Sequence, residues 1–150
     1  MVPAWQSTAP KLPRLWLERM TWPGSAKMLG GDSVGMTMAR YRDLFHEAGN
    51  EANRFLLRFL DKTIFPEDGR FCEVFNLWVH SDYRRKGLAS SLKRSIEDEA
   101  RRRGMSMVYT HTESANRHVI DLNLKLGYEI VRIGPIWDEI ERTSLVKWLR

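Results

Sequence analysis

The chain has one cysteine, Cys72, among its 150 residues. This scarcity excludes an intramolecular disulfide and is typical of a protein from a reducing compartment. Long apolar runs are also missing, since none approaches the roughly 20 residues that a membrane-spanning helix needs. The first residues lack the apolar core of about 7–15 residues that a secretory signal carries. We therefore expect a cytoplasmic protein without a membrane partner.

Metal-ligand spacings, internal repeats and low-complexity tracts are absent as well. A chain of 150 residues that is 43% hydrophobic and 29% charged is typical of one soluble globular domain. Such a chain buries about 68–70% of its unfolded surface, enough for a hydrophobic core that needs no disulfides or metal ions for stability. Residues 1–13 contain Pro3, Pro10 and Pro13 with little periodicity. We expect them to form a loose tail in front of a single domain over residues 14–150.

Positive charge is concentrated in one segment of the chain. The net charge is +5, and residues 84–103 hold eight Lys or Arg residues against three acids, so the rest of the chain is neutral. A solvated helix face explains Arg101–Arg103 as well as any ligand does. The run Arg84–Lys86 instead indicates a polyanionic ligand. A basic nucleic-acid-binding module is the rival interpretation, but basic and aromatic residues do not interleave and no helix-turn-helix or finger pattern is present, so nucleic acid is an unlikely partner.

The stretch from Glu73 to Gly104 organises the chain. Residues 73–80 are aromatic, β-branched or otherwise bulky, which predicts a strand. A helix is predicted to follow the loop and to run to Arg103, with acids at 97–99 four residues before the arginines at 101–103. Gly104 is placed to end it in a left-handed conformation. Its buried stripe is predicted at four-residue spacing: Leu88, Leu92, Ile96 and Ala100.

Weaker patterns predict the remaining elements. Residues 21–32 contain Pro23 and three glycines and are typical of a loop. Residues 43–61 have the apolar spacing of an amphipathic helix that packs on the core, covers a substrate or forms a dimer surface. Ser114 or Asn116 is placed to cap a second helix that ends at Gly127. Strands are predicted to begin at Leu15 and to span residues 33–40, 105–111, 128–133 and 143–149.

The turn between the central strand and its helix carries the clearest functional signal. It reads Arg84-Arg85-Lys86-Gly87-Leu88-Ala89 and lies at a helix N-terminus. Unpaired N–H groups point outward there and the helix dipole favours negative charge, so this turn is suited to phosphate. Its glycine spacing matches neither a P-loop nor a dinucleotide fingerprint.

The spacing Arg84-x-x-Gly87-x-Ala89 after a strand resembles motif A of the GNAT superfamily of acyl-CoA-dependent N-acyltransferases. Asn116 and the helix ending Leu126-Gly127-Tyr128 resemble motif B, and Val34-Gly35 resembles a Val-Gly pair in the second family strand. The resemblance covers residues 71–149 well and the first seventy poorly. It implies an α/β fold with a mixed, mostly antiparallel sheet that is splayed at the middle and has helices on both faces. Residues 43–61 would then be an insertion.

The resemblance also implies an activity and a cofactor site. The chain would be an N-acetyltransferase that moves an acetyl group from acetyl-CoA to a primary amine by direct attack in a ternary complex. The backbone N–H of Val79 would polarise the thioester carbonyl. The residues implied for binding acetyl-CoA are Leu77, Trp78, Val79, Arg84, Arg85, Lys86, Gly87, Leu88, Ala89, Ser90 and Asn116.

The base and the acid of such a reaction are less defined. Glu73 lies six residues before Val79, where several family members carry a catalytic carboxylate or histidine, so it is a candidate general base. The alternative is a strand residue paired with an arginine. His80 faces the loop and is a weaker candidate, and His111 and His118 have no partner visible in the sequence.

Asn123 occupies the position at which many family members carry a tyrosine that acts as the acid. An asparagine has no titratable proton, so Tyr128 or water would have to substitute. A non-catalytic acyl-CoA-binding sensor therefore remains an alternative to the enzyme. Cys72 has no base at motif spacing and is expected to be a buried, inert thiol. The sequence does not identify the amine substrate, and it leaves open whether the chain forms a homodimer.

Overall fold

The computed structural model describes residues 14–17, 25–30, 34–44 and 62–149. Two α-helices lie in these ranges, α1 (Leu88–Arg102) and α2 (Arg117–Lys125). Short 3-10 turns occupy Lys62–Ile64 and Ser81–Tyr83. The strands are β1 (Arg14–Leu17), β2 (Ser25–Gly30), β3 (Gly35–Asp43), β4 (Arg70–Val79), β5 (Met107–Glu113), β6 (Glu129–Gly134) and β7 (Arg142–Trp148).

The strands form one seven-stranded sheet in the order β1-β2-β3-β4-β5-β7-β6. All neighbouring pairs are antiparallel except β4 and β5, which run parallel and are joined by α1. A parallel connection needs such a crossover because the chain has to return to the same end of the sheet. The predicted mixed, mostly antiparallel sheet is confirmed.

The sheet opens between its two parallel strands. The paired residues of β4 and β5 end at Val74 and Thr110, and the Thr110 hydroxyl donates a hydrogen bond of 2.9 Å to the Val74 carbonyl. On the other side of β4, Ala39 pairs with Val74 and Met38 with Asn76, so Phe75 is an extra residue. This β-bulge bends β4 away from β5. We call the opening between residues 75–79 of β4 and 111–113 of β5 the β4–β5 gap, and it confirms the predicted splay.

Apolar side chains pack against both faces of the sheet. On one face, the predicted stripe of α1 is confirmed: Leu88 is 4% exposed, and Leu92, Ile96 and Ala100 are 0% exposed. They pack with Cys72 and Val74 of β4, among others. The second cluster consists of Leu44, Phe65, Phe71, Met107, Tyr109 and Val146.

Gly35 sets how closely α1 approaches the sheet. A Cβ added to Gly35 would lie 2.8 Å from Leu88 Cδ2, 3.1 Å from Leu92 Cδ1 and 3.2 Å from the Trp78 carbonyl oxygen. These distances are too short for unstrained contact, so the first turn of α1 can lie on β3 only because a glycine is there. The Gly35 position therefore also sets where the loop before α1 stands.

Several predicted boundaries were wrong. Residues 21–32 were expected to be loop, but Ser25–Gly30 is the strand β2, paired with β1 and β3. Its residues have little β-propensity, so pairing on both sides overrides the local signal. Strand β3 continues to Asp43, and Leu44 is the turn after it, so the helix expected over 43–61 cannot start there. Residues 45–61 lie outside the described ranges, as does the expected tail.

The glycines predicted to end the helices are confirmed, whereas only part of the predicted ion pairing on α1 is. Gly104 and Gly127 have φ of 77° and 92°, the left-handed conformation expected. Glu99 pairs with Arg103 as predicted, but Asp98 pairs with Arg101. Asn116 is the N-cap of α2 without a side-chain capping bond. Within the part of the chain that the structure describes, no helix has the length and apolarity to cross a bilayer.

Replacing Gly35 by valine should destabilise the fold. The added branches would push against Leu88, Leu92 and the Trp78 carbonyl, and overpacking of this kind costs about 1–3 kcal/mol. For a chain of this size, each kcal/mol lowers Tm by about 2–4 °C. Thermal unfolding checks this, with Met36→Val in the same strand as the control. An unchanged Tm for Gly35→Val would show that α1 tolerates a larger separation from β3.

Candidate active site

The loop before α1 exposes backbone donors. Helix α1 has Gly87 as its N-cap, with φ of 78°, and Arg85 has a positive φ of 63°. The first helical hydrogen bond runs from the Ser91 N–H to the Gly87 carbonyl, at 3.0 Å. The N–H groups of residues 88–90 therefore precede the first intrahelical bond and have no acceptor within the helix.

Nothing shields these donors on the side of Gly87. A Cβ added to Gly87 would meet no atom within 4 Å. Arg84, Arg85 and Lys86 are all exposed beside it, and the Lys86 Nζ lies 5.4 Å from the centre of the Tyr83 ring. Free N–H groups, the positive end of the helix dipole and three cationic side chains together form a site suited to a phosphate group.

The outer half of β4 presents its backbone to the β4–β5 gap. The His80 N–H donates a hydrogen bond of 2.7 Å to the Val34 carbonyl, on the side of β3. The Val79 carbonyl belongs to the same peptide unit and points the opposite way, where it accepts a bond of 3.1 Å from Arg84 Nε. In a strand, the N–H and C=O of one residue share a side, so the Val79 N–H also faces the gap.

The other residues predicted to bind a cofactor line the same region. Leu77 is half-buried and packs against the apolar cluster that contains the buried stripe of α1. Trp78 is 44% exposed and contacts the His80 ring. Asn116 is exposed just after the end of β5, on the far side of the gap. The structure therefore brings the predicted positions together around one opening.

Glu73 is held by an arginine. The Arg42 guanidinium donates a hydrogen bond of 2.8 Å to the Glu73 carboxylate, and both side chains are buried. This is the arginine pairing named as the alternative to a catalytic role. Glu73 pairs in register with Tyr109 of β5, directly below the gap.

His111 is a candidate that the sequence did not reveal. It lies on β5 beyond the last residue paired with β4, and its ring contacts Tyr109 at 5.9 Å and Trp137 at 5.1 Å between centroids. Its Nδ1 is buried and makes no hydrogen bond within the described residues. Burial lowers the pKa of His111 below its usual value, against a smaller opposing effect of Glu73. The neutral imidazole can therefore accept a proton.

The other described histidines and Cys72 are weaker candidates for a catalytic role. The His80 Nδ1 accepts a hydrogen bond of 3.1 Å from the Asp82 N–H, and His118 is exposed on α2. Cys72 is fully buried, and burial raises its pKa to about 12, which fits a packing role. Among the described residues, no group of three His, Cys, Asp or Glu side chains could hold a metal ion.

Asn123 contacts a buried lysine. Its Oδ1 accepts a hydrogen bond of 2.5 Å from Lys93 Nζ, which joins α2 to α1. Both side chains are nearly inaccessible, at 1% and 2% exposure. The Lys93 ammonium also lies 4.2 Å from the centre of the Tyr128 ring. The sequence placed Asn123 at an acid position but gave no signal for its lysine partner.

A family model for the acetyltransferase (GNAT) family matches residues 28–128. The matched range begins at β2 and ends at Tyr128. It therefore includes the loop, the β4–β5 gap and both described helices.

The similar proteins are acetyltransferases by name. Over 79 residues, the chain is 30% identical to GCN5-related N-acetyltransferase 6, chloroplastic, from Arabidopsis thaliana. The match covers 53% of this chain and 27% of that protein. The chain thus spans about a quarter of the length of this curated relative. The structure of Arabidopsis thaliana NAA60 in complex with acetyl-CoA is 18% identical, with a TM-score of 0.60. The match covers 84% of this chain and 76% of NAA60. The structure of yncA, a putative acetyltransferase from Salmonella typhimurium with its cofactor acetyl-CoA, is 21% identical, with a TM-score of 0.56. The match covers 85% of this chain and 65% of yncA.

Proposed function

Because the chain belongs to the acetyltransferase (GNAT) family, we propose that it moves an acetyl group from acetyl-CoA to a primary amine by direct attack in a ternary complex. The observation that carries the proposal is the β4–β5 gap, which has an unpaired backbone edge along one side and a phosphate-binding loop at its mouth. Such an edge can accept an extended ligand as an added strand.

Acetyl-CoA fits the residues that are present. Its pyrophosphate matches the free N–H groups of residues 88–90, and the open space beside Gly87 lets phosphate approach the backbone. The side chains of Arg84, Arg85 and Lys86 supply countercharge. Leu77 and Val79 would bind the pantetheine arm through their backbone, and Trp78 and Asn116 would border it. When bound, acetyl-CoA supplies an activated acyl group as a thioester.

Arg84 occupies one backbone acceptor of the gap in this arrangement. Its Nε occupies the Val79 carbonyl at 3.1 Å, so binding an extended ligand there would require Arg84 to turn away. The released guanidinium would be free to contact phosphate, for which its planar fork is well suited. The Val79 N–H would then polarise the acyl carbonyl, as donors preorganised toward developing negative charge do.

The attacking amine has to lose a proton, and two groups near the closed end of the gap could accept it. Glu73 remains our proposed general base, acting through water. Its carboxylate is shared with Arg42, and the neutral His111 stands on the opposite strand with an unused Nδ1. His111 is therefore the rival base, and the two roles can be separated by mutation.

Gly87→Val should abolish acetyl-CoA binding. The branched side chain would fill the space through which phosphate reaches the loop N–H groups, and the positive φ of Gly87 would strain it. The matched control is Gly104→Val at the other end of α1, because Gly104 has φ of 77° and equally open surroundings. Isothermal titration and the acetyl-CoA-induced shift in Tm measure both variants. Equal loss of binding in both would refute the loop as the phosphate site.

Glu73→Gln should lower kcat by about 10²–10⁴-fold if Glu73 is the base, with little change in acetyl-CoA affinity. The loss should shrink at high pH, where the amine is already neutral. His111→Gln is the parallel variant, and Glu99→Gln, which breaks ion pairs at the far end of α1, is the control. Release of free thiol is measured on a short peptide with a free α-amino group, spermidine and an aminoglycoside.

The pattern of the two losses decides between the bases. A large loss in His111→Gln with near-normal turnover in Glu73→Gln would transfer the role to His111. A wild-type protein that binds acetyl-CoA and acetylates none of these amines would favour the acyl-CoA sensor over the enzyme.

A further inference from the structure

Two lysines and one glutamate form a cluster between α1, α2 and β7, in which Lys93 and Glu97 are buried and Lys147 is half-buried. Lys147 Nζ donates to the Glu97 carboxylate at 2.7 Å, and Glu97 is 2% exposed. Lys93 is equally buried, but it donates a hydrogen bond of 2.5 Å to the neutral amide oxygen of Asn123. Buried charges are normally paired with an opposite charge, whereas Glu97 pairs with Lys147 and the hydrogen-bond partner of Lys93 is neutral. The cluster balances its charge when Lys93 gives up a proton.

Lys93 follows Leu92 on the part of α1 that packs near the closed end of the β4–β5 gap. Leu92, the residue before it, contacts Gly35, which pairs with Val79 at the mouth of the gap. In the other direction, Leu92 packs in one cluster with Cys72 and Val108, which pair with each other just below the closed end of the gap. Lys93 therefore stands at the level at which β4 and β5 diverge.

The surroundings of Lys93 favour loss of its proton near neutral pH. Burial lowers the pKa of Lys93 to about 8, with Glu97 and Cys72 acting in the opposite direction and Lys147 adding to the decrease. Tyr128, the remaining titratable group at the ammonium, has a pKa raised well above 10, mainly by burial, and stays neutral. An ordinary thiol has a pKa of about 8.5, so transfer of a proton from Lys93 to a thiolate is nearly balanced.

We propose that Lys93, oriented by Asn123, is the proton donor to the thiolate that leaves during acetyl transfer. The inference rests on the proposed function, because only that reaction produces a thiolate in the gap. Asn123 has no titratable proton and acts as a positioning residue.

The proton balance of the step is complete. The amine nitrogen forms the new bond to the acyl carbon, and the carbon–sulfur bond breaks with its electron pair on sulfur. Lys93 Nζ gives one proton to that sulfur and becomes a neutral amine, while Glu97 and Lys147 remain an ion pair. The proton lost by the attacking amine goes to the general base and then to solvent, and Lys93 takes one back before the next turnover.

The pH dependence of kcat tests the proposal. Because the protonated form of Lys93 is the active one, wild-type kcat should fall as pH rises through about 8. Lys93→Met, which keeps the length without the charge, should lose about 10²–10⁴-fold in kcat at neutral pH and lose this decline. Acetyl-CoA affinity should change little. The assay uses the most active amine among the peptide, spermidine and the aminoglycoside, with thermal unfolding as the check on folding.

Lys147→Met is the second variant, and it does not depend on the first one folding. It removes a like charge and frees Glu97 for Lys93, so the pKa of Lys93 should rise and the decline in kcat should move to higher pH. A decline that stays in place in Lys147→Met, or that persists in Lys93→Met, would overturn the proposal while leaving acetyl transfer intact. Absence of any acetyl transfer by the wild-type protein would overturn the proposed function, and the role of Lys93 with it.

Discussion

Pairing between β4 and β5 stops at Val74 and Thr110, and the other functional features depend on this interruption. Beyond Val74 the edge of β4 is partly exposed and lacks a neighbouring strand on the side of β5. Its backbone donors and acceptors are therefore open to water, to the Arg84 side chain or to an extended ligand. The bulge at Phe75 turns the strand, so the gap is built into the sheet and does not depend on a moving loop.

Helix α1 links this gap to the charged loop. Its buried stripe packs on β3 and β4, and Gly35 permits the first turn to lie close to the sheet. The loop proposed to bind phosphate is thereby fixed at one end of the gap, and Lys93 is held on the same helix. One rigid element thus positions both the countercharge for a cofactor and a candidate proton donor, which is the preorganisation that acyl transfer benefits from.

Local patterns predicted the elements whose signals are strong and adjacent in sequence. The strand–loop–helix unit from β4 to α1, its buried stripe and the left-handed glycines could all be found this way, because spacing and propensity agreed. Strand β2 was missed because its pairing partners, and not its residues, make it a strand. The contacts of Glu73 with Arg42, of Lys93 with Asn123 and of His111 with Trp137 join residues that are 31, 30 and 26 positions apart, so no local pattern reports them. The motif predicts a cofactor site from adjacent residues, whereas the candidates for proton transfer depend on contacts between residues that are distant in the sequence.

Backbone amide hydrogen exchange with and without acetyl-CoA tests the central claim most directly. If the donor adds to β4 as a strand, the amides of Leu77, Val79 and residues 88–90 should exchange more slowly when acetyl-CoA is present, because they gain acceptors. The Trp78 amide faces β3, and it should change little, as should the amides of β2 on the far side of β3. Binding of acetyl-CoA that leaves Leu77 and Val79 unprotected, or that protects another region instead, would contradict the account of the β4–β5 gap as the acetyl-CoA site.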